Sequence, residues 1–159
     1  MRAGTGYDIH RFREGGATEG LRLGGVDIPG VPQLEGHSDG DALIHAIADA
    51  LLGAAGEGDI GQHFPPGDPE TAGIDSRELL TRIVRLVAAR GFRVHNVDST
   101  VIAEQPVLGP HLASMRDSIA HTLGIDPSAV NVKATTNEGL GDIGEGRAIA
   151  ATAIATLDE

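Results

Sequence analysis

Two short runs carry side chains that can hold a metal ion. The first is Tyr7-Asp8-Ile9-His10; the second is His37-Ser38-Asp39-Gly40-Asp41-Ala42-Leu43-Ile44-His45. In an extended strand, residues two apart share a face, so Asp8 and His10 project together. The second run continues into a helical pattern from Ala42 to Ala55, along which Asp41, His45 and Asp49 follow one another at i, i+4. A strand giving Asp-x-His and a helix giving one more imidazole can surround a divalent ion. Three protein ligands leave a position free, the arrangement of a catalytic rather than a structural ion. Asp41 and Asp49 are candidates to orient the imidazoles. Their simpler readings are a helix N-cap for Asp41 and a solvated helix face for Asp49, and for Asp49 the simpler reading is preferred.

Three further stretches admit chemistry without compelling it. His37-Ser38 lies just before the helix, where a helix N-terminus, a hydroxyl and an imidazole can receive an anion or simply form a polar loop. Thr135-Thr136-Asn137-Glu138-Gly139-Leu140-Gly141 leaves a strand and enters a glycine turn. Its hydroxyls and N–H groups can hold phosphate oxygens, and Glu138 can take a hard cation such as Mg²⁺, although such a turn is more often merely polar. Ala103 to Pro110 is a two-proline turn that reads on its own as a connector.

These residues need a scaffold, and the periodicities supply one. Residues 2 to 10 form a first strand, and Leu21 to Ile28 a hairpin around Gly24-Gly25. A helix over Asp41 to Ala55 stops near Gly56 and Gly58. Asp59 to Pro69 is a proline-rich loop, too long to be a mere connector. A second helix starts at Asp75 with Glu78 completing a capping box, and Gly91 ends it. Val94 to Ala103 alternates as a strand, Pro110 to Leu123 is a third helix, and Asn131 to Thr135 a further strand. Arg147 to Leu157 reads as a last strand, though its alanines also suit a helix. The order predicts an α+β fold in one domain over 1–159: a mixed four-stranded sheet with helices on one face, plus a small hairpin.

Composition narrows the partners. The chain has 159 residues and a formal net charge of -11, which makes nucleic acid and anionic membrane poor partners. Aromatic content is 3%, too little for base-stacking surfaces. An acidic protein that handles phosphates must bring cations to the site. There is no cysteine, which excludes disulfides and thiolate metal sites and fits a reducing compartment. The start carries no apolar signal core, and the run near Ala148 to Leu157 is too short to span a bilayer. The expected location is the cytoplasm.

Taken in order, these motifs resemble one family, the 2-C-methyl-D-erythritol 2,4-cyclodiphosphate synthases of the non-mevalonate isoprenoid pathway. The resemblance spans the chain. It rests on Gly6 to His10, His37 to Asp41 with His45, Asp49 to Ala54, Gly58 to Gly61, Phe64-Pro65, Asp68-Pro69 and Asp75 to Leu80. It continues through Asn96-Val97-Asp98, Pro110-His111 and Val130 to Thr136. It implies a homotrimer with active sites between subunits. It also implies cyclisation of 4-diphosphocytidyl-2-C-methyl-D-erythritol 2-phosphate with release of CMP. By matching positions, Asp8, His10 and His45 bind Zn²⁺, and His37 and Thr136 steady the transition state. Ser38, Asp59, Ile60 and Gly61 surround the sugar-alcohol and its phosphate, and the loop Phe64 to Asp68 closes over that end. From the adjacent subunit, Ala103, Pro106, Val107, Leu108 and Gly109, with Thr135, Thr136 and Asn137, hold the cytidine part, and Glu138 takes Mg²⁺ or Mn²⁺.

The chain departs from the family pattern in places. Val107 stands where a lysine is frequent, removing one positive contact to the nucleotide end. The last glycine turn reads Gly141-Asp142-Ile143-Gly144-Glu145-Gly146-Arg147, with Glu145 at the usual arginine position and Arg147 two residues later. That change weakens the case for an isoprenoid diphosphate on the trimer axis. No fused cytidylyltransferase segment is seen, so the single-function form is expected. Two rival readings remain: a trimeric metal- or phosphate-binding module without turnover, and a non-haem Fe(II) oxygenase using the same two-His-one-carboxylate set.

Overall fold

The computed structural model describes residues 1–15 and 19–159. Its centre is a four-stranded sheet in the order β1 (Arg2–Arg11), β6 (Ala148–Asp158), β4 (Arg93–Ile102), β5 (Val130–Thr135). β6 runs antiparallel to both β1 and β4, while β4 and β5 are parallel. The parallel pair needs a crossover, which α4 (Leu112–Leu123) provides. The sheet is therefore mixed, as the periodicities predict. The alanine-rich last segment is a strand because it pairs on both edges, which overrides the helix propensity of its alanines.

Helix α1 (Ala42–Ala55) lies against β1 and β6, with its residues buried except Asp49 and Gly53. What brings it so close is a row of small residues. Gly4, Gly6, Asp8 and His10 share the helix-facing side of β1. A Cβ on Gly6 would sit 1.9 Å from the Ala46 carbonyl oxygen, and one on Gly4 would sit 2.1 Å from that of Ala50. Backbone thus meets backbone, and the next two side chains on the same face of the strand reach the helix at His45.

Two caps fix the ends of α1. Asp41 is its N-cap: the carboxylate accepts the Ile44 N–H at 3.0 Å and also the N–H groups of Gly24 and Gly25 at 2.9 and 2.7 Å. Those two glycines form the turn between β2 (Leu21–Leu23) and β3 (Val26–Ile28) at φ +59° and +73°, the left-handed pair a two-residue hairpin requires. One buried carboxylate therefore ties the hairpin to the helix. Gly56, at φ 77°, ends the helix.

Helix α3 (Ser76–Ala89) packs Leu79, Leu80, Ile83 and Val87 into the same core. The expected capping box does not form. Asp75 caps through the Arg77 N–H, and the Glu78 carboxylate turns outward to Arg82, its i+4 neighbour. The stretch from Asp59 is not wholly a loop either: Ile60–His63 makes one helical turn, α2, because Asp59 caps it through the Gln62 N–H. A second short turn, α5 (Gly141–Gly144), follows the glycine segment after β5. Among the described residues, no helix is long and apolar enough to cross a membrane.

The face of the sheet turned away from α1 carries Thr5, Tyr7, Ile9, Thr152 and Ile154. Three of these are large apolar groups in the open: Tyr7 at 55%, Ile9 at 42% and Ile154 at 51% exposure.

The glycine row is testable on its own. Gly6→Ala is expected to destabilise the fold by about 1–3 kcal/mol in urea unfolding, since the methyl meets main chain that cannot rotate away. Unchanged stability would mean that α1 does not press on β1.

Candidate metal centre

Asp8 and His10 leave β1 on the helix side, and His45 comes down from the first turns of α1 to meet them. The Asp8 Oδ2 lies 2.7 Å from His10 Nε2 and 3.0 Å from His45 Nδ1, and the two ring nitrogens are 3.2 Å apart. Among the described residues this is the one group of three or more such donors gathered closely enough to hold a metal ion. Metal bonds of roughly 2.0–2.1 Å separate tetrahedral ligands by about 3.3 Å. The observed triangle needs only slight opening to accept an ion, and two imidazoles with a carboxylate suit a borderline divalent cation.

Electrostatics agree with the geometry. Burial pushes the Asp8 carboxyl up, yet hydrogen bonds and charge from His10 and His45 outweigh it and hold the pKa at about 2. Burial pushes His10 down, but the Asp8 carboxylate, the Glu35 backbone and the charge of Asp41 raise it above its ordinary value. A cation bound here would compete with protonation of these groups.

The orienting groups differ from those expected. Asp41 caps the helix and hairpin instead. Asp49 is half-buried rather than solvated, and its carboxylate accepts the Ile60 N–H at 2.8 Å, tying α2 to α1. Burial, with the nearby charges of Asp59 and Asp8, raises Asp49 despite that bond. The far nitrogen of His45, Nε2, instead faces two serines: Ser38 Oγ at 2.9 Å and Ser76 Oγ at 3.0 Å. Ser76 is fully buried and also bonds Asp39. Sequence spacing gave no hint of Ser76, which stands 31 residues from His45 and meets it only through the packing of α3 on α1.

The triad forms one wall of a cavity of about 200 Å³. His37, Ser38, Ile60, Gly61 and Phe64 line the rest with Pro66 and Thr71. His37 is exposed, with its Nε2 3.1 Å from the Asp68 carbonyl oxygen. Asp59 does not line the cavity; it precedes Ile60 as the α2 cap, and hydrogen bonds from Gln62 hold its carboxyl below the usual range. Asp68 is used locally, accepting the Glu70 N–H.

The remaining expected residues lie elsewhere in the chain. Thr135 ends β5 and Thr136, Asn137 and Glu138 follow it, at the opposite edge of the sheet from β1. Register puts them level with the triad: Ile9 faces Ala150, Ala150 faces Ile102, and Ile102 faces Thr135. Three strand spacings, roughly 14 Å, separate the two groups. Ala103 to Gly109 adjoins the same far edge, where Ala103 and Leu108 are buried and Val107 is exposed at 80%. Glu104, not anticipated, accepts the N–H groups of Asn137 and Gly139 at 2.8 and 3.2 Å. It thereby holds the turn in which Glu138 takes a left-handed φ of 53°. In the last glycine turn Arg147 pairs with both Asp142 and Glu145.

Comparison with known proteins points one way. The YgbB family model matches residues 1–158. A 2-C-methyl-D-erythritol 2,4-cyclodiphosphate synthase of Gloeobacter violaceus is 54% identical over 159 residues, covering 100% of this chain and 96% of its own. Among solved structures, the bifunctional IspDF of Campylobacter jejuni superposes with a TM-score of 0.92 at 42% identity. That match covers 98% of this chain but 42% of the larger protein. A CDP complex of IspF from Plasmodium falciparum superposes with a TM-score of 0.84 at 38% identity, covering 98% of this chain and 94% of its own.

The triad predicts opposite pH slopes with and without metal. In the metal-free protein the raised His10 pKa contributes stability that is complete below about pH 6.5 and is lost as pH rises through that raised value. Metal must displace the same proton, so its stabilising effect grows over the same interval. The zinc-induced rise in Tm is therefore expected to be small near about pH 5.5 and to increase toward about pH 8. A zinc effect independent of pH would contradict a site built on His10.

Proposed function

The chain belongs to the YgbB family of 2-C-methyl-D-erythritol 2,4-cyclodiphosphate synthases, lyases of isoprenoid biosynthesis, and on that premise we propose how its one domain over 1–159 works. The reaction cyclises 4-diphosphocytidyl-2-C-methyl-D-erythritol 2-phosphate. An oxygen of the 2-phosphate attacks the β-phosphorus, and the bond to the α-phosphate oxygen breaks with its electrons leaving on CMP. No protein nucleophile is required, so the protein's task is positioning and charge neutralisation. The observation that carries this reading is the convergence of Asp8, His10 and His45 on the wall of a small cavity.

Zn²⁺ held by those three side chains supplies Lewis-acid polarisation of the attacked phosphoryl group. His37, exposed beside the triad, steadies the transition state. Ser38, Asp59, Ile60 and Gly61 receive the sugar-alcohol and its phosphate, and Phe64 to Asp68 closes that end. Thr135, Thr136, Asn137 and the turn Ala103 to Gly109 hold the cytidine, with Thr136 steadying the transition state. Glu138 would hold the second divalent cation, Mg²⁺ or Mn²⁺, which would offset the diphosphate charge.

These two sets of residues serve one substrate only in an assembly. A cavity of about 200 Å³ is small for a nucleotide diphosphate, and the second set stands level with the first on the far edge of the sheet. A cyclic homotrimer brings one copy's β5 edge to the next copy's β1 edge. It also covers the apolar sheet face of Tyr7, Ile9 and Ile154. The likeness to a CDP-bound relative supports a cytidine-diphosphate substrate. The oxygenase reading is not favoured, because its shared ligand set sits here on an α+β fold of a different family.

Two experiments test this. Incubation with the cytidyl substrate, Zn²⁺ and Mg²⁺ should release CMP by phosphorus NMR, with the rate falling by at least about 100-fold in His45→Ala. CMP release at the parent rate in that variant would remove the metal from the mechanism. Sedimentation should give three copies for the parent chain, whereas Ile154→Glu should dissociate the assembly and lose turnover while still binding zinc. A fully active monomer would overturn the shared site.

A further inference from the structure

Behind His45 stand a buried hydroxyl, Ser76, and a half-buried carboxylate, Asp39, with no place in the steps above. We infer that Asp39 and Ser76 are positioning residues that favour the ligating tautomer of His45 and fix its ring orientation. The inference rests on the reading of Asp8, His10 and His45 as metal ligands.

Hydrogen-bond inventory carries the argument. An ionised carboxylate can only accept. Ser76 Oγ lies 2.5 Å from Asp39 Oδ1, a length typical of a hydroxyl donating to a charged acceptor. The Ser76 backbone N–H donates to the other oxygen of Asp39 at 2.9 Å, and the Asp41 N–H donates to the first at 3.1 Å. Asp39 is thus held by main chain on both oxygens, and the single hydroxyl proton of Ser76 is committed to it. Toward His45 Nε2, 3.0 Å away, Ser76 can then only accept. A proton on Nε2 is therefore the form that satisfies Ser76, with Ser38 Oγ at 2.9 Å as its second neighbour.

A neutral imidazole carries one N–H, so in that form Nδ1 keeps its lone pair for a cation. In the metal-free ring the Asp8 carboxylate, 3.0 Å from Nδ1 and able only to accept, draws the proton the other way, and Ser76 opposes that pull. Nδ1 is the atom that faces Asp8 Oδ2 and His10 Nε2. The chain Asp39–Ser76–His45 favours the tautomer able to ligate and holds the ring plane toward the other two ligands. Carboxylates reach metal-bound imidazoles elsewhere in the same sense; here a serine is interposed. Ser76 opens α3, so the docking of that helix on α1 sets the angle of the ligand.

Heteronuclear NMR of the histidine rings and zinc affinity by chelator competition provide the test. In the metal-free parent chain at alkaline pH, His45 is expected to hold a larger share of the Nε2–H form than in Ser76→Ala; an equal share in the two overturns the inference. Ser76→Ala and Asp39→Asn are expected to weaken zinc binding by roughly 10–100-fold and to shift His45 toward the Nδ1–H form. Asp39→Asn keeps shape but deprives one of its donors of an acceptor in either amide orientation, so it separates hydrogen bonding from packing. It also serves if Ser76→Ala fails to fold. Variants with parent-like affinity and tautomer would reduce Asp39 and Ser76 to a structural staple while leaving the metal site intact. A parent chain that binds no zinc would instead sink the ligand reading, and this inference with it.

Discussion

The close approach of α1 to β1 is the constraint on which the site depends. A helix normally stands about 10 Å from a sheet, spaced by side chains. Here Gly4 and Gly6 remove that spacer, and alanines on α1 and β6 keep it thin. The same strand face that lets the helix in then presents Asp8 and His10, so strand and helix deliver their ligands to one point. A hydrophobic core of ordinary side chains would hold the same topology and leave the three donors too far apart to share an ion.

That proximity has an electrostatic cost, which the surroundings offset. Two imidazoles and a carboxylate within hydrogen-bond distance repel through their lone pairs unless something positive lies among them. In the metal-free protein a proton serves, which explains why Asp8 is depressed and His10 raised. Asp41 and Asp49, close by in sequence, are kept from competing because each is occupied by backbone N–H groups. The acidity of the whole chain, -11 at neutral pH, makes a cation at this point still more favourable.

Much of this was legible in the sequence because it is local. The Asp-x-His pair follows from the two-residue period of a strand, and His45 from its place four residues after a capping aspartate. The hairpin at Gly24-Gly25 and the helical face of Leu79, Leu80, Ile83 and Val87 follow from turn chemistry and periodicity. What was missed arises between segments. Ser76 meets His45, and Asp49 meets Ile60, only once helices are packed. Glu78 satisfied a capping pattern on paper but found a better partner in Arg82, and the alanines of β6 took strand geometry from neighbours on both sides. The turn beyond β5 is legible as polar, yet its order comes from Glu104, thirty-odd residues earlier in the chain. The resemblance reached the family, which the comparisons bear out, without the packing that makes the site.

The most direct measurement is anomalous X-ray diffraction at the zinc edge from crystals of the zinc-loaded protein. One strong peak per chain is expected, bonded to Asp8 Oδ2, His10 Nε2 and His45 Nδ1. A peak bound by other residues, with those three side chains still hydrogen-bonded to one another, would contradict the account.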